Sequence, residues 1–90
     1  MSIKVNIPTS LQHLANDVEV VEVNGSTVGE CLEHLVKQFP NMKQLLFDKN
    51  GNLDIFGGIY VNGESIRAEG LAKPVKDGDE IYISVIVAGG

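Results

Sequence analysis

The chain has 90 residues, an apolar fraction of 43% and a net charge of −5, which suits one domain with one core and excludes two. Lys and Arg are few and never cluster. Nucleic acid and anionic membrane, which need a basic footprint, are therefore excluded as partners, and a basic protein surface suits the chain better. The lone Cys31 excludes a disulfide framework or a multi-cysteine metal site within one chain.

The opening MSIKVNIPTS lacks a charged stretch followed by a long apolar one, so no secretory leader is expected. No apolar run approaches the ~20 residues that span a bilayer. The expected location is the cytoplasm.

Ile3, Val5 and Ile7 alternate with Lys4 and Asn6, which predicts a half-buried strand ended by Pro8. Leu11–Asp17 reads as a turn or loop. Val18–Val23 reads as a second strand whose alternation slips at Val20–Val21, from a bulge or from burial on both faces. A helix follows, with Thr27 as N-cap and Glu30 completing a capping box. Val28, Cys31, Leu32, Leu35, Val36 and Phe39 form its apolar stripe, and Pro40 stops it. NMKQLLFDKNG reads as a turn or short helix and then a loop.

IFGGIYVNGESI predicts a hairpin around Asn62-Gly63, a pair suited to the type I′ turn because both central residues need positive φ. Leu71–Val75 reads as a turn-rich connection. Asp77, Asp79 and Glu80 form a solvated turn, with too few ligands at the wrong intervals for calcium. The last strand places Ile81, Ile83, Val85 and Val87 on one face and Tyr82, Ser84 and Ile86 on the other. One helix must then cover one face of a mixed sheet of four to five strands. The simplest closure sets the first and last strands side by side and parallel, which is the β-grasp arrangement of an α+β, ubiquitin-like fold.

No phosphate-binding loop, zinc-protease motif or nucleophile elbow is present. His13 and His34 lie far apart and read as surface or half-buried residues. Cys31 lies in the apolar stripe and reads as a buried structural thiol. Gly57-Gly58 within a strand marks either a bulge or a close approach by another chain. Tyr60, Tyr82 and Ile86 project from the sheet face opposite the helix and are the candidates for partner docking.

The domain is expected over 1–87, with Ala88, Gly89 and Gly90 as a flexible tail. Two final glycines arise by chance in about half a percent of chains, so the ending alone carries little weight. Three residues nevertheless reach about 10 Å beyond a fold. Without bulky side chains, such a tail threads a narrow tunnel into another protein. Its one reactive group is the Gly90 α-carboxylate, ionised at neutral pH.

The fold order, the single capped helix, IYVNGESI, DGDEIYI and the final VAGG together resemble the MoaD/ThiS family of ubiquitin-like sulfur carriers, over nearly the whole chain. VNIPTSL, TVGE and the tract IYVNGESIR…GL…DGDEI…VAGG look closest to the CysO-like branch, which serves cysteine biosynthesis. The resemblance implies a protein cosubstrate and not an enzyme. An E1-like partner adenylates Gly90 with ATP that the partner holds, so this chain binds no cofactor or metal. A sulfur donor then converts the adenylate to a thiocarboxylate. The carrier delivers its sulfur to an acceptor enzyme, cysteine synthase-like or the large subunit of molybdopterin synthase. The alternatives are the small subunit of molybdopterin synthase, a thiamin-type carrier, or a ubiquitin-like modifier joined to lysine. The molybdopterin branch typically ends in a PPVAGG-like stretch, where this chain has SVIVAGG.

Overall fold

The computed structural model describes residues 2–50, 58–66 and 70–84. Strand β1 (Ile3–Asn6) buries Ile3 and Val5 and turns Lys4 outward, as the alternation requires. It pairs antiparallel with β2 (Val20–Val23), from Ile3 opposite Val23 to Asn6 opposite Val20. No extra residue interrupts this ladder, so the slip at Val20–Val21 is not a bulge. Val20 faces outward at 40% exposure, and Val21 and Val23 face the core. The strand begins two residues later than expected, because the Val18 N–H turns back to the Ala15 carbonyl at 3.0 Å.

The expected loop over Leu11–Asp17 is instead mostly a 3-10 helix, Thr9–Ala15. Leu11 and Ala15 are buried, which ties this segment to the core. Asn16 ends it in the left-handed region at φ 55°, and Gln12 Nε2 donates to the Ile7 carbonyl at 3.0 Å.

Helix α1 (Val28–Gln38) starts where the Glu30 N–H donates to Thr27 Oγ1 at 3.2 Å. The return half of the box closes one residue further out than the standard pattern. Glu30 Oε1 accepts from the Ser26 N–H at 2.8 Å and from Ser26 Oγ at 2.9 Å. Those two bonds hold the Glu30 carboxyl below its usual range. Val28, Cys31, Leu32 and Leu35 are buried, with Val36 and Phe39 partly buried against them. Each fully buried aliphatic side chain contributes about 1.5–3 kcal/mol. Phe39 adopts non-helical backbone angles before Pro40. Pro40 then opens a 3-10 turn, Pro40–Met42, and the short helix α2 (Lys43–Leu46).

Strands β3 (Ile59–Val61) and β4 (Glu64–Ser65) form the expected hairpin. Asn62 at φ 51° and Gly63 at φ 89° both have the positive φ of a type I′ turn. Strand β5 (Glu80–Ile83) runs parallel to β1 and antiparallel to β3. The five described strands make a mixed sheet in the order β2-β1-β5-β3-β4, with α1 packed on one face. This is the ubiquitin-like β-grasp, with its first and last strands adjacent.

The connection before β5 is more built than expected. It holds a 3-10 turn, Gly70–Ala72, and pins the start of α1. The Val28 N–H donates to the Lys73 carbonyl, and the Val75 N–H to the Ser26 carbonyl, each at 3.0 Å. A Cβ at Gly29 would lie 3.1 Å from the Leu71 carbonyl oxygen, so a larger residue there crowds this seam. Among the described residues no helix is long and apolar enough to cross a membrane.

Candidate functional site

Alternation along the strands decides which side chains reach the open face of the sheet. Ile3, Val5, Ile59, Val61, Ile81 and Ile83 all turn toward α1 and are buried. Their neighbours therefore face away. Asn6 lies between Val20 and Tyr82, and Tyr82 between Asn6 and Tyr60. The ladder thus brings Tyr60 and Tyr82 together as directly opposed residues on adjacent strands, the distance at which side chains touch. Tyr82 is 42% exposed and Tyr60 is half-buried. Val20 joins the row from β2, a residue the sequence reading left unassigned between a bulge and double burial.

The face is not purely apolar. Tyr82 Oη donates to Glu80 Oε1 at 3.3 Å, and Asn6 Nδ2 donates to the same oxygen at 3.3 Å. The negative charge of Glu80 pushes the Tyr82 phenol above its ordinary range. Lys4 lies in register between Glu80 and Glu22.

The turn before β5 is exposed at Asp77, as expected of a solvated turn, and departs from that form at Asp79. Asp79 is buried, with 8% exposure. Its Oδ2 accepts the Lys76 N–H at 2.9 Å and its Oδ1 accepts Asn62 Nδ2 at 3.0 Å. These bonds, the Lys76 one foremost, hold its carboxyl below the usual carboxylate range. Asn62 Oδ1 in turn accepts the Glu80 N–H at 3.0 Å. The same turn grips β1: the Ser2 N–H donates to Asp77 Oδ1 at 2.7 Å, and the Lys4 N–H to the Asp79 carbonyl at 3.2 Å. Gly78 makes the turn possible at φ 92°.

Of the chemistry-bearing side chains elsewhere, Cys31 and His34 have structural roles. Cys31 is fully buried, and burial foremost, with the Glu30 charge, pushes its thiol up to about 11. His34 is half-buried, and its Nδ1 accepts the Asn24 N–H at 2.8 Å. His13 is exposed. No three His, Cys, Asp or Glu side chains converge among the described residues.

Beyond Ile83 the ladder continues for one more bond, from the Ser84 N–H to the Gly58 carbonyl at 3.1 Å. Gly58 has φ 87°. Gly57, Ile86 and the tail residues Ala88, Gly89 and Gly90 lie outside the described residues.

A model of the ThiS family matches residues 5–90, from β1 to the last glycine. The chain belongs to the ThiS family. Among its relatives is the sulfur carrier protein CysO of Mycobacterium tuberculosis, 36% identical over 100% of both chains. CysO of Amycolatopsis orientalis, seen in a BexX/CysO complex, superposes with a TM-score of 0.88 at 36% identity, covering 98% of this chain and 99% of that one. Small archaeal modifier protein 1 from Methanosarcina acetivorans superposes with a TM-score of 0.83 at 32% identity, covering 99% and 96%. The β-grasp read from strand order and the MoaD/ThiS resemblance read from the motifs thus both hold, with CysO proteins among the relatives as the motif likeness implied.

Proposed function

We propose that this ThiS-family chain is a sulfur carrier whose reactive group is the α-carboxylate of Gly90. The supporting observation is 36% identity, across the full length of both chains, to a protein named as a sulfur carrier. The Gly90 carboxylate is ionised at neutral pH and is a poor electrophile, because an oxide would have to leave. An E1-like partner supplies ATP. A carboxylate oxygen attacks the α-phosphorus, pyrophosphate leaves, and the acyl adenylate forms. A sulfur nucleophile then attacks the acyl carbon and AMP leaves. With hydrosulfide the product is the Gly90 thiocarboxylate and one proton.

In this reading the chain contributes the carboxyl group, the thin Ala88-Gly89-Gly90 tail and a docking face, while the catalytic groups belong to its partners. It is a cosubstrate and holds no cofactor of its own. Tyr60, Tyr82 and Ile86 dock the body while the tail enters the partner. A cysteine synthase-like enzyme is the favoured acceptor, in line with the likeness to CysO. The test is one alanine added after Gly90. Purified with the activating enzyme, ATP and sulfide, the extended chain is expected to take up no sulfur, because its carboxylate is displaced by one residue. Uptake equal to that of the natural chain would overturn the tail mechanism.

The likeness to small archaeal modifier protein 1 supports a second reading. The same adenylate is attacked by a lysine amine, and AMP leaves as an isopeptide forms. A ladder of conjugates that disappears on deletion of Gly90 would favour it.

A further inference from the structure

The open sheet face carries two adjacent rows across its strands. One runs Val20–Asn6–Tyr82–Tyr60, and the other runs Glu22–Lys4–Glu80. Within each of β1, β2 and β5 the two rows are two residues apart, so they lie side by side on one face. The first row is largely apolar and aromatic. The second sets two carboxylates against one ammonium. Tyr82 and Glu80 join the rows: Tyr82 Oη reaches back to Glu80 Oε1 at 3.3 Å, which lays the ring along the strand beside the carboxylate. Asn6 Nδ2 holds the same oxygen at 3.3 Å, so the carboxylate is oriented on the open face.

An exposed ring next to an oriented carboxylate selects one kind of group. A purely apolar partner would bury two carboxylates, Glu80 and Glu22, against the single ammonium of Lys4, which leaves a negative charge unbalanced and is costly. An anionic partner meets these two carboxylates and a chain of net charge −5. A guanidinium is planar, weakly hydrated and permanently charged, so it stacks on a ring while pairing with a carboxylate. A lysine ammonium has no plane to stack.

We propose that Tyr82 and Glu80 form a receptor for an arginine side chain of a partner protein, with the guanidinium stacked on the Tyr82 ring and paired with the Glu80 carboxylate. Aliphatic neighbours of that arginine cover Val20 and Tyr60. The assignment rests on the reading that this face docks partners, and it names the chemistry of the contact.

The test uses the full chain, labelled with nitrogen-15, titrated with three pentapeptides. Each has leucines flanking a central arginine, lysine or citrulline, the last being the neutral isostere of arginine. The arginine peptide is expected to shift the amide signals of Glu80, Tyr82 and Tyr60, with lysine binding about fivefold more weakly and citrulline weakest. Glu80→Gln keeps an oxygen for the Tyr82 and Asn6 bonds and is expected to remove the preference for arginine over citrulline. Tyr82→Leu is expected to remove the preference for arginine over lysine. Core signals of Val23, Leu32 and Leu35, which are buried away from both substitutions, are expected to stay in place in both variants and so exclude misfolding as the cause.

Equal shifts at this face from all three peptides would overturn the arginine receptor and leave sheet-face docking standing. No shifts, or shifts only on the helical side, would overturn the receptor. Docking itself is then decided separately, by whether Tyr60→Ala with Tyr82→Ala weakens binding of the activating enzyme.

Discussion

Asn62 and Asp79 bond side chain to side chain, Nδ2 to Oδ1 at 3.0 Å, across 17 positions of sequence. The contact joins the β3–β4 turn to the turn that launches β5. Asn62 contributes both halves of its amide, because its Oδ1 also accepts the Glu80 N–H. It occupies the left-handed region at φ 51°, which asparagine tolerates better than most residues. Asn62→Ala therefore combines two losses, the clasp and a comfortable turn. The expected cost is about 1–3 kcal/mol in urea unfolding. Asn62→Gly keeps the turn and loses only the clasp, so it should fall between Ala and the natural chain. A glycine variant as stable as the natural chain would mean that the clasp contributes nothing.

The same clasp sets an acid limb. The Lys76 N–H, foremost, and Asn62 Nδ2 favour the charged form of Asp79, and its folded pKa is lowered. The Ser26 bonds lower that of Glu30 in the same way. A lowered folded pKa means that the unfolded chain binds protons first as pH falls. The stabilisation is complete above the unfolded carboxylate range, near 4, and is lost as pH drops through the folded value. Melting temperature should therefore fall below pH ~4. Asp79→Asn should flatten part of that fall. An unchanged acid limb in Asp79→Asn would contradict the assignment.

Much of the fold follows from local pattern. Period-two alternation places Ile81 and Ile83 inside and Tyr82 outside, and Asn62-Gly63 names its turn by the φ that both residues require. The parallel pairing of the first and last strands follows from having one helix to cover one sheet. Other features depend on contacts distant in sequence. Thr9–Ala15 has only Leu11 and Ala15 buried in it, too little periodicity to announce a helix. Asp79 looks like a solvated turn residue until Asn62 arrives from another hairpin. Val20 could be assigned to a face only once its pairing with Asn6 was fixed. For the candidate site, alternation was enough to put Tyr60 and Tyr82 on one face, and the pairing of β3 with β5 sets them opposite each other. The Glu80 carboxylate between Asn6 and Tyr82 was not legible, because it depends on which strands become neighbours.

Tyr82 and Ile83 are adjacent in sequence and opposite in role. Tyr82 is 42% exposed and Ile83 is 5% exposed. Tyr82→Ala loses its cross-strand contact with Tyr60 and should cost about 1 kcal/mol or less while weakening binding to the activating enzyme. Ile83→Ala opens a core cavity and should cost about 2–5 kcal/mol. Thermal melts of the two variants, with a binding assay on Tyr82→Ala, check this. A Tyr82 variant as unstable as the Ile83 variant would make Tyr82 a core residue and remove it from the docking face.

Sulfur exchange is proposed at the Gly90 α-carboxylate. Intact-mass spectrometry of the purified chain, after incubation with an E1-like activating enzyme, ATP and a sulfide donor, tests it most directly. The expected result is a mass gain equal to the difference between sulfur and oxygen. It should be located to Gly90 by fragmentation and be absent when ATP is withheld. An unchanged mass under conditions where the same enzyme adenylates and thiolates a known ThiS-family carrier would contradict it.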